Sequence, residues 1–108
     1  RRFGELAGEV YELSNSEAME ALGKEFRTPG HIPLCRESPG GLSKRQGHTE
    51  LAVAIARLSG NIPCTIGAEM LDPDGDGALS LQEARKYAEE HGIPMITGND
   101  IMESMDMV

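Results

Sequence analysis

Apolar residues recur at helical spacing from the start of the chain: Phe3, Leu6, Val10 and Leu13, with Glu5, Glu9 and Glu12 between them. That periodicity predicts an amphipathic helix already under way at residue 1. Ser14 or Ser16 is suited to cap a second helix reaching about Phe26, with Ala18, Met19, Leu22 and Phe26 on one side. Thr28-Pro29-Gly30 ends it. A third helix is expected from Thr49 to about Ser59, where Leu51, Ala52, Ile55 and Leu58 make an apolar stripe and Gly60 stands at the C-terminal glycine position. A fourth runs from a Ser80 cap to about His91 and stops at Gly92, and Asn99 or Asp100 starts a final helical turn.

Between these helices lie short apolar runs. Ile32–Cys35, Ile62–Leu71 and Ile93–Thr97 are bounded by turn residues and read as buried strands. Glu37–Gln46, with Pro39-Gly40-Gly41, reads as a flexible connection, and Asp72–Gly77 as a polar turn. Alternating helices and strands predict an α+β or α/β fold, a three-layer mixed sheet flanked by helices, of which residues 1–108 form one portion.

Length and composition narrow the function. A chain of 108 residues holds one small domain with a modest core. Ten Lys and Arg against 18 Asp and Glu leave a formal charge of −8, and there are only two Phe, two Tyr and no Trp, which argues against a nucleic-acid groove. No apolar run approaches the roughly 20 residues of a membrane span, and no signal-peptide pattern is present, so a cytoplasmic protein without membrane partners is expected. Cys35 and Cys64 form no Cys-x-x-Cys pair and are expected to be reduced and structural.

The candidate chemistry gathers at Arg45-Gln46-Gly47-His48-Thr49-Glu50, which opens the third helix. An arginine fork grips phosphate oxygens bidentately, and the first turn of a helix offers unpaired N–H donors at the positive end of its dipole. His48, beside Gly47 at that helix start, has little reason to be core packing, whereas Thr49 alone is most simply an N-cap and Arg45 alone a solvated charge. Glu69 sits in the apolar context Ile66-Gly67-Ala68-Glu69-Met70-Leu71. It is either a buried carboxylate with a raised pKa, fit for acid–base work, or a solvated residue at a strand end. His31 follows Pro29-Gly30 in a turn, where a surface histidine is the default reading.

A competing motif lies downstream. Asp72-Pro73-Asp74-Gly75-Asp76-Gly77-Ala78-Leu79-Ser80-Leu81-Gln82-Glu83 fits the calcium loop of an EF-hand, with acidic residues at positions one, three, five and twelve and glycine at six. The flanks oppose it, because the preceding segment carries Pro63, Gly67 and β-branched residues where an entering helix belongs. An acidic turn before a Ser80-capped helix is favoured over a small acidic calcium-binding or interaction module.

Taken together, Phe26-Arg27-Thr28-Pro29-Gly30-His31, Gly40-Gly41-Leu42, Arg45-Gln46-Gly47-His48-Thr49-Glu50-Leu51 and Ala68-Glu69-Met70-Leu71 resemble, in order and spacing, the C-terminal half of the 3,4-dihydroxy-2-butanone 4-phosphate synthases of riboflavin biosynthesis, archaeal members above all. The resemblance implies a lyase that converts D-ribulose 5-phosphate to L-3,4-dihydroxybutan-2-one 4-phosphate and formate. It also implies Mg²⁺ (or Mn²⁺) and a homodimer with sites at the subunit interface. On this resemblance Arg45, Gln46, Gly47, His48, Thr49 and Glu69 bind substrate, His48 is a metal ligand, and Glu69 is a catalytic acid or base. His31 is also catalytic, serving the neighbouring subunit's site. Two departures stand out: Pro33 follows Ile32 one residue earlier than the family pattern has it, and the family's N-terminal half, with its acidic metal-binding loop and catalytic cysteine, has no counterpart here. The chain is therefore expected to act only with that half as partner, and Cys35 is not that cysteine.

Overall fold

Ser14 and Ser80 adopt extended backbone, and each hydroxyl accepts a hydrogen bond from the amide three residues on, so each starts a helix where the capping chemistry predicts. In the computed structural model, which describes residues 1–106, the helices are α1 Arg2–Val10, α2 Asn15–Glu25, α3 His48–Leu58, α4 Leu81–His91 and α5 Gly98–Ser104, with a single 3₁₀ turn at Gly41–Ser43. Thr97 caps α5 reciprocally: its hydroxyl accepts from the Asp100 amide while the Asp100 carboxylate accepts from the Thr97 amide. That backbone bond, followed by the Thr97 hydroxyl, holds the Asp100 carboxyl below the usual carboxylate range.

The chain divides into two units, Arg1–Thr65 and Ile66–Val108. In the first, α1 packs against α2, with Phe3 and Phe26 edge to face at 5.5 Å between ring centroids. The Arg2 guanidinium bridges Glu25 on α2 and Glu9 on α1, at 2.5 and 2.8 Å. Within the same unit α3 packs on the 3₁₀ turn, and Leu6, Leu42, Ala54 and Ala56 are buried. In the second unit Ala88 on α4 and Ile101 on α5 are the buried apolar residues.

The expected mixed sheet is not formed. Among the described residues the only β-type pairing is an isolated antiparallel bridge between Leu71 and Ala78. Ile32–Cys35 and Ile93–Thr97 run irregular without lateral partners among the described residues, and Ile62–Leu71 does so up to its end, where Leu71 joins that bridge. Their residue types suit an extended backbone, but a strand exists only where a neighbour takes up its amides and carbonyls, and that pairing is non-local. The consequence is apolar surface in water: Ile32 is 68% exposed and Ile66 86% exposed, and Cys35, expected in a strand core, is exposed too.

The face that α3 buries also differs from the predicted stripe. Ile55 and Leu58 point outward, Leu51 and Ala52 are half-buried, and the buried positions are Glu50, Ala54 and Ala56. Its N-cap is Gly47 rather than Thr49, which lies one turn position inside the helix. The final helix starts at Gly98, one or two residues before the expected Asn99 or Asp100.

Gly92 closes α4 with φ of 63°, its amide bonding back to the carbonyls of Ala88 and Glu89. A Cβ there would meet nothing within 4 Å, so the cost of one is purely conformational. Gly92→Ala is therefore expected to destabilise the fold by about 1 kcal/mol, the penalty of a side chain in the left-handed region. Urea unfolding followed by circular dichroism measures this, and an unchanged midpoint would contradict it.

Candidate functional site

Pro39-Gly40-Gly41 turns the chain toward α3 by placing Gly40 and Gly41 at φ of 92° and 56°, conformations that favour glycine at both positions. The 3₁₀ turn follows, Arg45 donates its amide to the Gly41 carbonyl at 3.0 Å, and Gly47 then leads into α3. The segment between the turn and the helix is held from beneath by Glu50, whose side chain is wholly buried.

Both oxygens of that carboxylate are used. Oε2 accepts from the Ser38 amide at 2.9 Å, and Oε1 accepts from the Gly47 amide at 3.2 Å and from Arg45 Nη1 at 3.0 Å. The Ser38 bond is the largest influence on its pKa, burial opposes it, and Arg45 and the Gly47 amide add to it, leaving the carboxyl below its ordinary value. Two turns farther along α3, Arg57 donates through both terminal nitrogens to Glu37, raising the Arg57 pKa and lowering that of Glu37. The loop is thus tied to the helix at Glu37, Ser38 and Arg45.

Above this anchor the surface offers donors. The Arg45 side chain is 59% exposed and uses only Nη1, so Nε and Nη2 have no partner among the described residues. The amides of His48 and Thr49 likewise donate to nothing among the described residues, as expected in the first turn of a helix. His48 is exposed, Gln46 is exposed and Thr49 is half-buried. Guanidinium nitrogens, unpaired amides and the positive end of an eleven-residue helix form an arrangement suited to an anion.

The remaining sequence-predicted residues, His31 and Glu69, are described each within its own unit. His31 lies in the first unit, exposed in the bend after Gly30, and forms no side-chain hydrogen bond among the described residues. Glu69 lies in the second unit and is exposed on irregular backbone. Glu50 is the residue whose role the sequence left unassigned. Its signal was present as the third helical position after Gly47, where a glutamate reaches back to the cap amide.

Neither metal reading finds a built centre. Among the described residues no three His, Cys, Asp or Glu side chains converge to hold an ion. His48 can offer one nitrogen, whereas Mg²⁺ demands an octahedral set dominated by oxygen, so these residues by themselves do not fit the ion. In the acidic loop, Asp72 turns inward to accept from the Asp74 amide at 2.9 Å, and Glu83 is in the first turn of α4. An acidic turn and a capped helix describe that segment.

The lowered pKa of Glu50 has a sign. A carboxyl whose folded pKa lies below its unfolded value, about 4.3, contributes stability above that value and loses it as pH falls through the folded pKa. Glu50→Gln should therefore unfold more easily at neutral pH, yet lose less further stability between about pH 4.3 and lower pH than the parent does. Glu37, also lowered, keeps part of that dependence. Urea midpoints across the acid range test this, and parallel profiles would contradict it.

A profile of the 3,4-dihydroxy-2-butanone 4-phosphate synthase family matches residues 9–104. The chain is 44% identical over 97 residues to the 3,4-dihydroxy-2-butanone 4-phosphate synthase of Methanosarcina mazei, an alignment covering 90% of this chain and 39% of that protein. It is 42% identical over 103 residues to the Archaeoglobus fulgidus protein of the same name, covering 95% and 42%. The riboflavin biosynthesis protein RibBA of Chlamydia muridarum is 37% identical over 82 residues, covering 76% and 19%. The chain spans about two fifths of the length of the first two of these curated relatives. No helix among the described residues is long and apolar enough to cross a membrane. Matched along nearly its whole length, this chain belongs to the 3,4-dihydroxy-2-butanone 4-phosphate synthase family.

Proposed function

We propose that the chain supplies the phosphate-gripping part of a lyase that converts D-ribulose 5-phosphate to L-3,4-dihydroxybutan-2-one 4-phosphate and formate in riboflavin biosynthesis. One observation carries the reading. In a chain of this family, an exposed guanidinium with two nitrogens free among the described residues stands beside the amides, likewise unpaired there, that open α3. A phosphate monoester fits both donor types.

In this reading Arg45, Gln46, Gly47, His48 and Thr49 orient the substrate through its phosphate, and Glu69 and His31 exchange protons with its carbon skeleton. The five-carbon phosphate divides into a four-carbon phosphate and formate with no external oxidant, because all atoms of the substrate are retained in the two products. The chemistry is therefore proton transfer, carbon migration and C–C cleavage, for which positioned acids and bases are the main requirement. His48 contributes at most one ligand to Mg²⁺ or Mn²⁺.

The site needs more polypeptide than the described residues provide. The exposed apolar residues of Ile32–Cys35, Ile62–Leu71 and Ile93–Thr97 are surface that further polypeptide would cover, and the relatives' additional length is a source for it. We place the remaining donors on that part of the enzyme and the working assembly as a homodimer in the cytoplasm.

Three variants of the complete enzyme test the assignment. Arg45→Lys keeps the charge but not the fork, and should weaken ribulose 5-phosphate binding by about 1–3 kcal/mol. His48→Ala should abolish formate release while leaving substrate bound through Arg45 and Thr49. Glu69→Gln should bind substrate nearly normally and lose roughly 10²–10⁴ in rate. Wild-type formate release by Glu69→Gln would remove that residue from the chemistry, and unchanged substrate affinity in Arg45→Lys would remove the phosphate site.

A further inference from the structure

We propose that Glu50 is a positioning residue, which acts on substrate by fixing the Arg45 guanidinium over the start of α3 before any ligand arrives. The proposal deepens the phosphate reading above and rests on it.

The pair is asymmetric in a way a surface ion pair is not. Glu50 is 1% exposed, whereas the Arg45 side chain is mostly in solvent. A carboxylate taken out of water is costly unless its lone pairs are filled. Here the Ser38 and Gly47 amides hold it rigidly, one on each oxygen, and Arg45 Nη1 joins Gly47 on Oε1. The fixed partner is thus the glutamate, and the arginine is the group it orients.

Gly47 shows the same design from the opposite side. A Cβ built there would lie 2.6 Å from Arg45 Nη1, 2.9 Å from Arg45 Cζ and 2.7 Å from Glu50 Oε1. The backbone of Gly47, at φ of −83°, is open to any residue, so what a side chain there would meet is spatial and not conformational: it would have to displace the guanidinium or the Glu50 carboxylate from their present places. Arg45 is consequently parked beside the free amides of His48 and Thr49, with Nε and Nη2 unpartnered among the described residues. An unrestrained arginine loses rotamer freedom when it binds; one already held loses less, and the difference appears as affinity.

The prediction separates positioning from support. In the complete enzyme, Glu50→Gln keeps the size of the side chain but sets an amide NH₂ against a backbone or guanidinium donor. It should raise KM for ribulose 5-phosphate and the inhibition constant of inorganic phosphate by about tenfold, the scale of one charge-assisted hydrogen bond. The effect on kcat should stay within about threefold, because the lost interaction is made equally in ground and transition states. In an Arg45→Ala background the same change should leave KM and the phosphate constant where Arg45→Ala alone put them, since nothing remains to be positioned. Glu37→Gln, which frees the same loop from Arg57, should lower the melting temperature and leave KM within about twofold.

Multiplicative effects of Glu50→Gln and Arg45→Ala on KM would overturn the proposal, as would a KM rise in Glu37→Gln equal to that in Glu50→Gln. If Arg45→Ala alone leaves KM and phosphate inhibition unchanged, the phosphate reading itself has failed. If Arg45→Ala weakens binding and Glu50→Gln does not, only the positioning role has failed. Should Glu50→Gln not fold, Glu50→Asp carries the same cycle, because it keeps the charge and withdraws the carboxylate by one methylene from Arg45.

Discussion

The buried carboxylate of Glu50 is the constraint on which the described site depends. A charge enclosed in a small domain persists only where protein donors replace its water, and the two oxygens of Glu50 find theirs on Ser38, Gly47 and Arg45. Those three residues come from the loop before α3 and from its cap. A single side chain thereby brings the Pro39-Gly40-Gly41 turn and the helix start into one arrangement, to which the Glu37–Arg57 pair adds a second tie. Satisfying the charge and shaping the anion-suited surface are the same event.

The rest of the chain buries little apolar surface. Among the described residues the buried apolar side chains are Leu6, Leu42, Ala54, Ala56, Ala88 and Ile101, and three of these six are alanines. Larger residues such as Ile66, Ile32, Leu71 and Ile96 face water in segments that have the composition of sheet interior. Local capping and ion pairs, such as the Arg2 bridge between α1 and α2, sustain the helices that are present.

The acidic segment at Asp72–Glu83 shows how far a motif can travel from its usual context. It meets every position of a calcium loop, yet no helix enters it, and its first aspartate spends an oxygen on the amide of Asp74. Irregular chain precedes it and the Leu71–Ala78 bridge closes it as a turn. Spacing alone specified the acidic residues, while the direction of the Asp72 carboxylate was set by the backbone around it.

The sequence by itself determined whatever depends on near neighbours along the chain. Ser14, Ser80 and Thr97 cap helices because a hydroxyl three residues before an amide reaches it, and Gly92 ends α4 because only glycine turns left without cost. The motif Arg45–Thr49 was legible for the same reason: a helix start and an arginine are local facts. Tertiary structure alone decided the rest. Whether Ile32–Cys35, Ile62–Leu71 and Ile93–Thr97 become strands depends on partners distant in the chain, and among the described residues only Leu71 pairs, with the nearby Ala78. Whether α3 buries its aliphatic stripe or Glu50 depends on what lies opposite, and there the Ser38 amide, twelve residues away, outweighs the hydrophobic pattern because a buried charge must be answered by a donor.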